Sequence, residues 1–160
     1  MLTVRLICVG KLKEKFYREA CAEYEKRLKG YCKPEIIELT EQRLPDRPSQ
    51  GQIDAALAKE ADAVRAKIPA GSAVIAMCIE GKPMSSEKLA QQLSGWMSSG
   101  TSTICVVIGG SCGLDEALKK SAQLRLSMSP MTFPHHLARV MVLEQLYRAL
   151  NISAGGKYHK

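Results

Sequence analysis

Two stretches of this 160-residue chain concentrate residue types able to do chemistry. The first, "LSMSPMTFPHHLARV" (126–140), sets Pro130, Pro134 and the pair His135 and His136 among serine, threonine, methionine and phenylalanine. Prolines remove N–H donors and restrict their neighbours, so the backbone of "SPMTFP" is kept out of a ladder and its remaining amides and carbonyls are free for another purpose. Met128, Met131 and Phe133 would give apolar contact to a flat heteroaromatic ring whose polar edge that backbone reads. The same pattern also suits a plain strand-to-helix connection whose Met and Phe side chains simply pack. His135 and His136 open a helix, where the positive end of the dipole disfavours protonation, and neutral imidazoles are expected. The second stretch, "VVIGGSCGLDEAL" (106–118), holds Gly109, Gly110 and Gly113, which can take positive φ and let backbone amides approach a ligand, or can make a tight turn and nothing more. No Lys-Ser or Lys-Thr follows these glycines and no GxGxxG follows the first strand, which disfavours phosphate-cradling nucleotide hydrolysis and a nicotinamide site.

Such residues need elements to position them, and the pattern is an alternation. "LTVRLICVG" (2–10) is a short β-rich run ended by glycine, and 14–30 has helical spacing with Phe16, Ala20, Tyr24 and Leu28 on one face. "EIIEL" (35–39) is a strand, the Pro-containing segment 40–51 a loop, and "IDAALAKEADAVRAKI" (53–68) a helix. A third strand (72–81), a helix capped by Ser85 or Ser86 (to 99), a fourth strand (102–110), a short helix (114–122) and a last strand (123–128) follow. The long helix 134–152 closes the series, its first turn tolerating Pro134. Strands alternating with helices predict a mostly parallel α/β sheet, with ligands beyond the strands' carboxyl ends. Both chemical stretches are such turns.

Composition limits the function classes. The length suits one compact domain, and 46% of residues are hydrophobic. Lys and Arg number 23 against 16 Asp and Glu, a net charge of +7, which favours an anionic partner such as nucleic acid or simply a basic surface. No apolar run approaches the roughly 20 residues of a spanning helix, and the start shows no cleavage site, so a cytosolic protein without membrane contact is expected. Cys8, Cys78 and Cys105 sit in apolar strand-like runs as small hydrophobes. Cys21, Cys32 and Cys112 lack ligand-spaced neighbours, so reduced thiols and no metal are expected.

Four separated segments, "VGKLKEKFYREACAEYEKRL", "IGGSCGL", "LSMSPMTFPHHLARVMVLEQLYRA" and the final "YHK", together resemble the RlmH-type ribosomal RNA large-subunit methyltransferases in order and spacing, over essentially the whole chain. The resemblance implies a single SPOUT (α/β-knot) domain over 1–160, a mostly parallel sheet flanked by helices with a C-terminal trefoil knot. It further implies a homodimer, S-adenosyl-L-methionine as methyl donor, and as acceptor the N3 of a pseudouridine in helix 69 of 23S rRNA. Carried over position by position, the cofactor contacts fall on Met77, Gly109 and Met128, Ser129, Pro130, Met131, Thr132 and Phe133. Cys112 departs from the side chains familiar at its position, although a small residue fits there. With no appended RNA-binding domain, the assembled ribosome is the expected substrate.

Methyl transfer from a sulfonium is an in-line displacement that needs alignment and a nucleophilic nitrogen more than a metal. The imide N3 must lose a proton, so a base or an anion-stabilising cation is required. The candidates are His135, Arg139, Arg148, Tyr158 and His159. Arg148 lies four residues after Glu144 and suits a helix ion pair equally well. After "SAGG", a hinge, the tail Lys157 to Lys160 is expected to swing over the cofactor pocket and meet RNA, with Lys11, Lys13 and Lys15 on phosphate. The last helix carries Leu137, Val140, Met141, Val142, Leu143, Leu146, Tyr147 and Leu150, more apolar surface than one sheet face covers, which invites a second subunit.

Overall fold

The computed structural model describes residues 1–160 as strand and helix in strict alternation. The elements are β1 (Thr3–Val9), α1 (Lys15–Leu28), β2 (Lys33–Leu39), α2 (Gln50–Arg65) and β3 (Ala73–Pro83). They continue as α3 (Ser86–Ser98), β4 (Thr103–Ile108), α4 (Glu116–Ser121), β5 (Leu124–Ser127) and α5 (His135–Ser153). All strand pairs are parallel, in the order β2-β1-β4-β3-β5. The period-two alternation divides each central strand between two cores. Val4, Leu6 and Cys8 of β1 and Ile104, Val106 and Ile108 of β4 pack with Leu28, Leu93, Leu143 and Leu146 from α1, α3 and α5. Ile7, Val9, Cys105 and Val107 point the other way, onto Ala61, Val64, Leu114 and Leu118 beside α2 and α4. Because both faces are covered, these strands are continuous apolar runs in sequence.

Several boundaries move for identifiable reasons. Helix α2 begins at Gln50, three residues before its apolar pattern, because Ser49 and Gln52 form a reciprocal capping box: Ser49 Oγ accepts from the Gln52 amide at 3.2 Å and Gln52 Oε1 from the Ser49 amide at 2.8 Å. Strand β2 tolerates Pro34 because it is an edge strand. The expected face of α1 is corrected: Phe16 is 63% exposed, and the buried line runs through Cys21 and Leu28 with Tyr17 and Tyr24 half-buried. At about 100° per residue, three steps of four residues rotate the face by roughly 120°, so Phe16 and Leu28 cannot share a side.

Strand β3 leaves its ladder and returns. Met77 and Lys82 both oppose Leu126, so Cys78 to Gly81 form an excursion over the carboxyl edge of the sheet. Gly81 is pressed against β5, where a Cβ would lie 2.8 Å from the backbone carbonyl carbons of Arg125 and Leu126. Only glycine fits that approach. Helix α5 then packs along α1 and α3 beneath the sheet.

Candidate functional site

The turns after β3, β4 and β5 meet around a cavity of about 320 Å³. The β3 excursion supplies Met77 to Glu80, the turn after β4 supplies Gly109, Gly110, Cys112 and Gly113, and the connection to α5 supplies Met128, Ser129, Met131, Phe133 and His135. Six of the eight residues expected at a cofactor therefore share one wall system. Pro130 and Thr132 do not: both are exposed and lie outside the lining. Within this connection Ser129 Oγ accepts from the Met131 amide at 3.0 Å and the Ser127 hydroxyl donates to the Ser129 carbonyl at 3.1 Å. The amides of Thr132 and Phe133 have no partner in the chain, and that of Phe133, a lining residue, is left as a donor for a ligand edge.

The glycine turn closes on itself. Gly110 and Gly113 form an isolated bridge, with the Gly113 amide donating to the Gly110 carbonyl at 3.1 Å. Of the three glycines expected to exploit positive φ, only Gly113 does, at +80°. Gly109 is glycine for another reason: the Gly113 carbonyl occupies the place of its Cβ. Gly110 has no room either, since a Cβ would stand 2.6 Å from Glu41 Oε1. That carboxylate reaches in from the segment after β2 and accepts from both the amide and the hydroxyl of Ser111, at 2.9 and 2.6 Å.

Charged groups flank the cavity. Lys119 Nζ lies 2.5 Å from Glu80 Oε1 and 2.7 Å from Glu116 Oε1. Burial favours the neutral amine, but the two carboxylates outweigh it and hold Lys119 charged above its ordinary pKa. His135 is the one proposed acid-base residue that lines this cavity. Burial and then the neighbouring His136 push its pKa down against the pull of Glu41, so the imidazole is neutral at pH 7.

The other four candidates lie elsewhere. Arg139 is 2% exposed; Nη1 donates to Glu38 Oε2 at 2.5 Å and Nη2 to the Gly10 carbonyl at 3.0 Å, so it braces α5 against the ends of β1 and β2. Arg148, Tyr158 and His159 form a second cluster on α5 and the start of α3. Arg148 Nε and Nη2 donate to Glu144 Oε1 at 3.0 and 2.7 Å, and the Tyr158 hydroxyl donates to the same oxygen at 3.1 Å. His159 bridges Arg148 Nη1 at 3.1 Å and Glu87 Oε1 at 2.6 Å. The tail is thus folded back on its own helices, and none of these three residues lines the cavity of the same chain. Burial and then the bond to Glu144 raise the Tyr158 pKa, so the phenol is a donor at neutral pH.

A second cavity of about 370 Å³ adjoins the first. It shares Met77, Met128 and Val142 with the first, and at its rim the Ser86 hydroxyl donates to Gln145 Oε1 at 2.6 Å. The cysteines are unpaired thiols; Cys8 and Cys105 are buried, whereas Cys78 is half-buried and faces the first cavity with exposed Cys112. Burial pushes the Cys8 thiol up to about 12. No group of three His, Cys, Asp or Glu side chains is placed to hold a metal ion, and no helix is long and apolar enough to cross a membrane.

Sequence reasoning missed Glu41 and the Lys119–Glu80 pair. Each is a single acid or base whose partner is distant in sequence, and neither spacing nor periodicity marks it.

Comparison with known proteins places this geometry in a family. Residues 2–159 match the family model described as "Predicted SPOUT methyltransferase". Proteins named ribosomal RNA large subunit methyltransferase H, from Streptococcus equi subsp. zooepidemicus and from Streptococcus pyogenes, are each 45% identical over 159 residues, covering 99% of this chain and all of theirs. Two solved structures share the fold. One, described as a probable methyltransferase from Bordetella pertussis, has a TM-score of 0.56 at 16% identity and covers 92% of this chain and 95% of that one. The other, a probable methylase family protein from Haemophilus influenzae, has a TM-score of 0.54 at 12% identity, covering 98% of this chain and 70% of that one. With the parallel five-stranded sheet, the family-model match and the full-length identity in agreement, the chain belongs to the SPOUT methyltransferases, in the RlmH-type family.

Proposed function

We propose that this chain is an S-adenosyl-L-methionine-dependent methyltransferase acting on N3 of a pseudouridine in helix 69 of 23S rRNA, with the assembled ribosome as substrate and a cytoplasmic homodimer as the working form. The observation that carries the cofactor assignment is the meeting of the Met128 to Phe133 connection and the glycine turn in one cavity of about 320 Å³, with an unpartnered amide at the lining residue Phe133. Met77, Met128, Met131 and Phe133 supply apolar walls for a flat ring, and free backbone groups supply the polar reading. The cofactor, when bound, supplies a methyl group on a sulfonium. The chain's own residues hold that group away from water and align it with the acceptor. The RNA substrate is supported by the net charge of +7 and by the named activity of the 45% identical relatives.

The five acid-base candidates divide by place and protonation. His135, neutral and in the cavity wall, is able to take the imide proton. Tyr158 is protonated, and the hydroxyl that it donates to Glu144 in the single chain would place the acceptor by exchanging that bond for the nucleotide, while Arg148 and His159 offer positive charge and a second imidazole. Arg139, one turn on from His135, anchors this end of α5 to the Gly10 carbonyl. A homodimer is supported by α5, on which Leu137, Val140, Met141 and Tyr147 stay half-exposed in the single chain. The trefoil knot belongs to the same reading.

The test is methyl transfer from labelled S-adenosyl-L-methionine to ribosomes from cells lacking the native enzyme, with the modified nucleoside located by mass spectrometry. Label at N3 of a helix 69 pseudouridine is expected. Folded protein that binds the cofactor but leaves helix 69 unlabelled would overturn the acceptor, and folded protein that does not bind it would overturn the cofactor.

A further inference from the structure

We propose that Glu41 is a positioning residue of the cofactor site, bracing the glycine turn in the shape a ligand needs; this rests on the reading of that turn as part of an S-adenosyl-L-methionine site. The turn has little else to hold it. Ser111, Cys112 and Gly113 are exposed, and the internal backbone bond of the turn is the one from the Gly113 amide to the Gly110 carbonyl. Glu41 adds two bonds from outside, both to Oε1: the Ser111 amide at 2.9 Å and the Ser111 hydroxyl at 2.6 Å. The Ser111 amide is thereby fixed away from the cavity, and the remaining amides of the turn keep one orientation. The carboxylate also fills the space over Gly110 in which any side chain would stand.

The brace has a firm base and is charged. Its neighbour Gln42 donates its amide to Glu60 Oε2 at 2.8 Å, which ties the segment to α2. Burial pushes the Glu41 carboxyl up, but the two bonds from Ser111 and the nearby His135 and His136 outweigh it and hold it below the usual carboxylate range. Hydrogen bonds to an ionised acceptor are roughly twice as strong as neutral ones. A turn that meets a ligand through backbone groups gains affinity by being ordered before binding, and Glu41 does that ordering from a position outside the cavity lining.

The experiment compares E41A, E41Q and S111A with the wild type in the full-length protein. Titration calorimetry with S-adenosyl-L-methionine gives the affinity, single-turnover transfer at saturating cofactor gives the rate, and hydrogen exchange in the free protein reports the Ser111 amide. E41A is expected to weaken binding by about tenfold or more, the scale of one charge-assisted bond removed, while the saturating rate changes by less than about twofold. E41Q, which keeps an acceptor oxygen, should recover most of the affinity, and S111A, a change at an exposed residue that does not threaten folding, should lose about threefold. Exchange at the Ser111 amide should quicken in E41A. In a double variant, E41A/S111A should bind no more weakly than E41A alone. Wild-type affinity in folded E41A, or strictly additive losses in the double variant, overturns the proposal and leaves the cofactor reading standing. Absence of binding in the folded wild type overturns both.

Discussion

Replacing Arg139 by methionine separates a bracing role from a chemical one. The substitution keeps an unbranched stem in a site that is 2% exposed and removes three things: the bond to Glu38 at 2.5 Å, the bond to the Gly10 carbonyl at 3.0 Å and the burial of a guanidinium whose Nε has no partner. A charge-assisted bond contributes about 1.5–3 kcal/mol and an orphaned carbonyl costs about 1–3 kcal/mol. Glu38 is about one-third exposed and can rehydrate, and releasing a buried cation offsets part of the loss. The net expectation is a destabilisation of about 2–3 kcal/mol, a fall in Tm of roughly 5–10 °C for a chain of this length. Urea and thermal unfolding at one fixed protein concentration measure it. The pH dependence has a definite sign. Burial raises the Glu38 carboxyl, but the bonds from Arg139 and the Leu12 amide outweigh it and leave its folded pKa below the unfolded value. Stability from this pair is therefore complete above the unfolded carboxylate pKa of about 4.3 and is lost as pH falls through the folded one. The gap between wild type and R139M should be constant near neutrality and narrow in acid. Unchanged stability with methyl transfer abolished would refute the bracing role and return Arg139 to the reacting groups.

Gly109→Ala should drive a Cβ into the Gly113 carbonyl, costing about 1–3 kcal/mol in denaturant titrations and at least about tenfold in cofactor affinity by calorimetry, because the turn itself must shift. Deleting residues 157–160 should leave dimerisation and most cofactor affinity intact but slow single-turnover transfer by about two orders of magnitude, and a normal rate would exclude the tail from the reaction. Neutralising Lys11, Lys13 and Lys15 should flatten the salt dependence of ribosome binding by roughly 0.7–0.9 for each phosphate that these lysines neutralise, measured by filter binding across a salt series. Ser49→Ala should cost about 1 kcal/mol of stability through the missing capping box and leave methyl transfer unchanged, a control for remote destabilisation.

All ten elements are legible in the sequence because their periods do not conflict: runs such as "STICVVIGG" read as strands buried on both faces, and the amphipathic stretches between them read as helices. Part of the cavity wall is legible as well: Gly109, Met128, Met131 and Phe133 line it from turns read as such, whereas Pro130 and Thr132 stand outside and the Cys78 to Glu80 excursion has no mark in the sequence. What the periods cannot carry is anything decided by distant pairing. Arg139 looks like a free cation on an active-site helix until Glu38 and Gly10, both over 100 residues away in sequence, are folded against it. Glu41 sits in a segment whose composition says only loop. The tail reads as mobile beyond a hinge, yet Glu144 and Glu87 gather Arg148, Tyr158 and His159 into one network. Gly109 carries the same lesson in backbone form, because its want of a side chain serves Gly113 and not a ligand directly.

The return of β3 to its ladder gives the edge of the sheet an unusual dependence. Leu126 is grasped from two sides, by Met77 before the excursion and by Lys82 after it, and β5 is only four residues long. The wall residues Met77 and Met128 sit at the margins of that short pairing, so part of the cavity wall depends on it. A molecule filling it would touch both β3 and the end of β5, and its binding would then favour the closed edge. At a hundred times its dissociation constant such a ligand adds about 2.7 kcal/mol to the folded state. Amides of β3 and β5 that edge opening exposes should exchange more slowly by that increment when such a ligand is present, and protease should cut this edge correspondingly more slowly.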